Sequence, residues 1–430
     1  MMTRTASALL VCLTVISAAR ADDWPQWRGP NRDDVSKEKG LLKTWPKDGP
    51  KLLWTYKDAG AGYSGMAVVG NRVYTLFADD KNEYILALDV EKGTKVWATD
   101  IGPRLSQGMG DGPRSTPTVD GDFIYALSGK GELACVKAKD GEKVWHVSLP
   151  SDLGGKMMSG WGYSESPLVD GDKVLCTPGG EKGVLAALDK KKGTVLWRSK
   201  GKITVKETEK NWSDGAGYSS IMPLTIKGVK QYVQMTGAGV AGVRADDGEL
   251  LWWYEHAART AAVPTPILHD NEVYITSGYL SGCALIKVSG EGKSFKAEKV
   301  YDNQNMVNHH GGVLQVGDYL YGYTGGNERG LHAWICQDLK SGDMKWSEEK
   351  KLGKGSVTFA DDRLYMYSED SGTVALVEAN PKEWKEHGRF TVPEKSKKHR
   401  PFWAHPTVAN GKLYVRDQDL IFCYDIKDSK

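Results

Sequence analysis

One pattern constrains this chain more than any other. The segment Ala87-Leu88-Asp89-Val90-Glu91-Lys92-Gly93-Thr94-Lys95-Val96-Trp97 returns as Cys135–Trp145, Ala187–Trp197, Gly242–Trp252 and Cys336–Trp346, each with a glycine four residues before the tryptophan. A glycine at that offset marks a turn with positive φ between two strands. The tryptophan then lies on the second strand, where it can pack between neighbouring sheets. From Trp54 the spacings to Trp252 are 43, 48, 52 and 55 residues, and the next interval, to Trp346, is 94, or twice 47. A degenerate repeat therefore lies in that gap, with Phe295 or Tyr301 as its outer aromatic. After Trp346 the expected equivalent is Phe390, 44 residues on.

A second element is a period-two run around a tight turn, as in Thr116-Pro117-Thr118-Val119-Asp120-Gly121-Asp122-Phe123-Ile124-Tyr125. It ends at Tyr74, Tyr125, Leu175, Tyr232, Tyr274, Tyr321, Tyr365 and Tyr414, which makes eight hairpins. Two hairpin elements per repeat give a four-stranded antiparallel blade. The predicted fold is all-β: an eight-bladed β-propeller with tryptophan-docking repeats. The chain ends in strands up to Tyr424 with no Gly-x-x-x-Trp strand after them, while Trp54 has no inner strands before it. Leu52 to Tyr56 should therefore complete the last blade and close the ring, leaving no free sheet edge. The expected division is a signal peptide over 1–21, an N-terminal arm over 22–51 and one propeller over 52–430.

The signal peptide rests on Arg4, the apolar run from Ala6 to Ile16 and the small-x-small site Ala19-Arg20-Ala21. That run is too short to span a bilayer, and Cys12 lies inside it rather than at a lipidation point. A periplasmic or secreted protein without a membrane span or lipid anchor is expected. Its basic and acidic residues number 57 and 55, which gives nothing to steer nucleic acid. The cluster Lys395 to Arg400 reads as a solvated loop. Six cysteines fall to five on processing, with no adjacent pair and no C-x-x-C-H, which argues against a disulfide framework and against a covalent c-type haem. The expected state is a monomer.

The repeat Ala-x-Asp-x-x-x-Gly-x-x-x-Trp resembles the tryptophan-docking repeat of pyrroloquinoline-quinone (PQQ) propellers, which include quinoprotein alcohol dehydrogenases and an outer-membrane assembly lipoprotein. The resemblance covers nearly the whole mature chain. Asp23-Trp24-Pro25-Gln26-Trp27-Arg28-Gly29-Pro30, Gly112-Pro113-Arg114-Ser115-Thr116-Pro117, Trp161-Gly162-Tyr163-Ser164-Glu165-Ser166-Pro167 and Asn308-His309-His310-Gly311-Gly312 resemble a bacterial "PQQ-binding-like repeat" subgroup common in planctomycetes. The repeat implies the fold; many relatives keep it as architecture alone. The chain departs from the enzymes in lacking their adjacent cysteines and haem motif, and from the lipoprotein in lacking its anchor.

In a propeller, the loops leading into the innermost strands converge on one funnel. Those loops offer Tyr63, Arg114, Tyr163, Glu165, Tyr218, His309, His310, Lys354, Trp403 and His405, and Arg416 sits in the loop after the second strand of the last repeat. They form a candidate site for a polar ligand with anionic groups. Adjacent strand residues point to opposite faces, so at most one of His309 and His310 should face the channel. No catalytic residue and no metal-ligand set can be assigned. PQQ with calcium is the possible cofactor: Arg114, Lys354 and Arg416 would meet its carboxylates, Trp161 and Trp403 its ring, and Glu165, Asp111 and Asp214 the metal. Three functions follow: a binding or scaffold module in the cell envelope, taking a small polar ligand or an envelope protein; a PQQ- and calcium-dependent alcohol or sugar oxidoreductase; and a hydrolase or lyase using the same funnel.

Overall fold

The structure is a computed structural model that describes residues 23–430 apart from 202–214, 257, 259, 327–328, 399–400 and 429–430. The expected signal peptide lies outside the described residues. Eight sheets form the blades of a ring, each with four antiparallel strands, which in blades 1 to 7 run in sequence order from the channel outward; blade 7 takes a fifth, parallel strand on its channel side. Blade 1 comprises Ala67–Val69, Arg72–Ala78, Asn82–Asp89 and Lys95–Pro103. Blades 2 to 7 begin at the inner strands Thr118–Asp120, Leu168–Asp170, Met222–Ile226, Ile267–His269, Val313–Val316 and Gly355–Ala360. Blade 8 has Thr407–Ala409, Lys412–Asp417 and Leu420–Asp425, and its outer strand is Lys51–Tyr56 from the other end of the chain, with Trp54 opposite Cys423. The ring thus closes as expected.

The repeated tryptophan packs one blade on the next. The Trp97 ring covers Gly141, where an added Cβ would lie 2.6 Å from it, and Nε1 donates to the Ala138 carbonyl at 3.3 Å. Trp54 covers Gly93 and donates to Val90, Trp145 covers Gly193 and donates to Lys190, and Trp197 covers Gly248 and donates to Ala245. The glycine therefore serves the turn and also the close approach of an indole. In the degenerate blade 5 the docking residue is Tyr301, which covers Gly342 and donates to the Leu339 carbonyl at 2.8 Å. Phe295 instead joins the apolar cluster around Trp252. Trp252 breaks the pattern by donating to Gln231 of its own blade.

Blade 7 divides the docking between two residues. Phe390, the expected equivalent, covers Gly49 just before the outer strand of blade 8, as the tryptophans cover the glycine of the next blade. Trp45 of the N-terminal arm packs beside it over Gly388 of blade 7's own outer strand and lies 5.9 Å from Tyr365, close to the 6.0 Å between Trp97 and Tyr74 in blade 1. Trp45 is invisible to a search along the repeat because it comes from far away in the chain.

The arm does more than close the ring. Trp24 bridges Val68 of blade 1 and the Pro25 carbonyl accepts from Val119 of blade 2, both contacts lying near the hairpin turns at one end of the channel. The chain then turns over at 26–34 near the opposite mouth, and Val35–Ser36 runs parallel to the inner strand of blade 7. It leaves where the Glu38 carboxylate accepts from the Gly411 amide of blade 8. Residues 24–38 therefore form a hairpin-shaped plug inside the channel.

Candidate functional site

The tip of this plug is held in an uncommon backbone. Arg28, Arg32 and Asp34 each have φ of 60°, a left-handed conformation that costs non-glycine residues on the order of 1 kcal/mol or more each. Buried charge fixes it: Arg28 Nε lies 2.6 Å from Asp34 Oδ2, and Arg28 also donates to the Val313 carbonyl of blade 6. Arg32, fully buried, donates to the Ser166 and Pro167 carbonyls of blade 3 and to Gln26. Burial lowers its pKa to about 10, so it remains a cation at neutral pH.

Trp27 and Arg28 form part of the wall of a cavity of about 360 Å³ at the channel mouth. Each blade contributes to this cavity: Tyr63, Arg114, Trp161, Tyr218, Pro264, His309 with His310, Lys354 and Trp403 come from blades 1 to 8 in turn. His405 lies beside the Trp27 ring, with centroids 4.5 Å apart, and approaches the His310 carbonyl at 3.2 Å.

A polar chain runs along one side. Lys354 Nζ is 2.8 Å from Glu369 Oε1 and 3.3 Å from His309 Nδ1, and His309 Nε2 is 2.7 Å from the Tyr279 hydroxyl. An ammonium can only donate, so Nδ1 of a neutral His309 accepts and its Nε2–H donates to Tyr279. Burial and then Lys354 push the His309 pKa down to about 4, and burial, His309 and Lys354 together push His310 well below its ordinary value. Both rings are neutral at physiological pH. Burial raises Glu369 while Lys354 opposes the rise, and the Trp403 indole donates to its other oxygen at 3.1 Å. Tyr279 and Leu280 again have positive φ, 58° and 64°, at a turn that aims a wall residue inward.

The opposite side is different. Arg114 donates to the Gly110 and Gly112 carbonyls, both at 2.6 Å, and its guanidinium carbon stands 5.9 Å from the Tyr63 ring centre. It makes no ion pair with any described residue. Burial lowers its pKa, with Tyr63 and Glu83 acting in the other direction. The wall rings meet at tilted angles: 42° between Tyr63 and Trp403, 46° between Trp161 and Tyr218 and 59° between His310 and Trp403.

Of the residues expected at the funnel, Tyr63, Arg114, Tyr218, His309, His310, Lys354, Trp403 and His405 line this cavity. Three expectations are corrected. Tyr163 is buried and donates to the Pro178 carbonyl, acting as a peg between loops. Glu165 is buried below the cavity, accepts from the Thr177 amide, and is raised by burial to about 8. Arg416 is wholly buried, donating to the carbonyls of Ala59, Ser64, Leu76 and Gln418. A further correction concerns the histidines, since His309 and His310 both face the cavity, with ring centroids 4.3 Å apart. They precede the strand Val313–Val316, so strand alternation does not govern them. Trp27, Arg28, Tyr279 and Glu369 were not foreseen at the site. Only the Trp-Pro-x-Trp-Arg opening, polar and aromatic outside any repeat, signalled the first two.

The wall does not suit a quinone held by calcium, which takes six or more oxygen ligands. Among the described residues Glu369 is the one carboxylate lining the cavity, and it is engaged by Lys354 and Trp403. Asp111 is held by Arg104 and Gln107, Glu165 lies below, and Asp214 falls outside the described residues. No group of three His, Cys, Asp or Glu suited to a metal occurs among the described residues.

Comparisons with known proteins agree with the architecture. Outer membrane protein assembly factor BamB of Yersinia pestis is 22% identical over 405 residues, covering 90% of this chain and 81% of that one. BamB from Moraxella catarrhalis superposes with a TM-score of 0.59 at 13% identity, covering 87% and 99% of the two chains. Quinohemoprotein alcohol dehydrogenase from Comamonas testosteroni gives 0.65 at 13% identity over 96% and 82%. At such identities the superpositions speak for the fold alone. The family model described as outer membrane protein assembly factor BamB matches residues 81–348, more than half the chain, and this PQQ-repeat propeller belongs to that family.

Proposed function

We propose that this chain is an exported binding propeller of the cell envelope whose channel mouth holds a small polar ligand. The observation that carries this reading is the cavity itself: rings and cations from all around the ring converge on a space closed from below by the chain's own arm. A cavity of this size with convergent polar groups is the usual form of a small-molecule site. Export is supported by the Ala19-Arg20-Ala21 cleavage pattern and by the family's description, and no helix among the described residues is long and apolar enough to cross a membrane. The test is a thermal melt with the dialysable fraction of envelope extract. The fraction should raise the midpoint of the wild type and not that of Trp403→Ala; an equal rise in both, or none in either, overturns the reading.

Family membership favours a second role, scaffolding of envelope proteins, which co-purification of outer-membrane proteins with the tagged chain would test. The oxidoreductase alternative is disfavoured by the donor set of the wall.

A further inference from the structure

We propose that the cavity takes an acidic sugar: a pyranose ring seated on the tilted aromatic facets, with its carboxylate on Arg114 and its hydroxyls toward the His309–Tyr279 side. The proposal rests on the ligand-binding reading above and names the ligand class.

The charge pattern supplies the first argument. Arg28 is neutralised by Asp34, and Lys354 by Glu369. Arg114 is the cation of the wall that makes no ion pair among the described residues, the Glu83 and Asp111 carboxylates acting on it only from a distance. Its two bonds to the Gly110 and Gly112 carbonyls fix the plane of the guanidinium and leave further N–H groups uncommitted. A preorganised fork of this kind suits a carboxylate.

The rings supply the second. A flat aromatic guest is best held between parallel faces, whereas the ring pairs in contact here are tilted by 32° to 83°. Facets turned in several directions suit a puckered ring whose C–H groups point several ways. The third argument is the hydrogen-bonding lining. Ser164, Ser220 and Thr265 offer hydroxyls. Such groups match sugar hydroxyls, and about 360 Å³ leaves room for a sugar ring.

The experiment is isothermal titration of the mature protein with glucuronate, galacturonate, glucose and benzoate, repeated for Arg114→Gln. At least one uronate should bind about tenfold or more tighter than glucose, the worth of a charged hydrogen-bond pair. In Arg114→Gln that preference should shrink to about threefold or less, while the chain still unfolds in one cooperative melt. Binding of benzoate as tight as that of the uronates, parity of glucose with both, or a preference that survives Arg114→Gln would each overturn the proposal. If no uronate binds while the dialysable fraction still gives its Trp403-dependent shift, the sugar assignment falls and the ligand-binding reading stands. If both are absent, both fall.

Discussion

The outer belt and the inner channel of this ring solve the same problem, joining blade to blade, by opposite means. On the outside, one solution is copied: an indole covers a glycine and donates to a carbonyl, at Trp54, Trp97, Trp145 and Trp197 alike. Inside, a single non-repeating hairpin touches the blades with a different residue each time and relies on buried charge. Apolar docking tolerates substitution, as Tyr301 shows. The channel does not have that latitude, because each buried ion needs its own partner. The polar side chains of the cavity floor stand where the repeat has been abandoned.

The largest test of this contrast sets one residue from each region side by side. Asp34→Ala, which strands buried Arg28, and Trp197→Ala, which empties an interblade contact, should each cost about 3 to 5 kcal/mol in denaturant unfolding. Only the first should also abolish ligand binding, because it releases the cavity floor. An unaltered cavity in Asp34→Ala would erase the distinction.

Next comes pH. Glu165 is raised by burial to about 8 in the folded chain, so the folded state holds a proton that the unfolded state has released. Its contribution is present in full below about pH 4.5 and is lost as pH rises through about 8. Stability should fall across that window with a slope of up to about 1.4 kcal/mol per pH unit. Glu165→Gln should flatten the profile in urea midpoints taken from pH 5 to 9; an unchanged profile would remove Glu165 as the cause.

A smaller effect sharpens the outer belt. Tyr301→Phe keeps the ring over Gly342 and removes the bond to Leu339, which should cost about 0.5 to 1.5 kcal/mol. A larger loss would mean that the hydroxyl, rather than the ring, docks the degenerate blade. An effect of similar size, about 0.5 to 1.5 kcal/mol, is expected at Arg114→Gln, which cannot keep both bonds to Gly110 and Gly112, and calorimetry should show its preference for a uronate over glucose reduced.

The belt was legible because repetition amplifies a weak local signal: Gly-x-x-x-Trp and the eight hairpins, seven of them ending in tyrosine, located nearly every blade. Trp45 escaped because a residue of the arm has no fixed offset from its neighbours. At the site, loop position alone brought Arg114, Tyr218, His309 and Lys354 to the cavity. It failed for Arg416 because a polar residue in a loop can be consumed by backbone carbonyls, as its bonds to Ala59 and Leu76 show. Lys354 and Arg114 looked alike in sequence. Only the geometry separates the cation paired with Glu369 from the one that makes no ion pair and is bonded to backbone carbonyls.

The plug also fixes an order of events during synthesis. Residues 24–38 are made before any blade, yet their contacts extend from Val68 in blade 1 to Gly411 in blade 8. The seat for these residues does not exist until the last strands have been made. An arm made before the blades must therefore wait beside the growing ring, and an incomplete chain, however many blades it has formed, has a cavity without a floor.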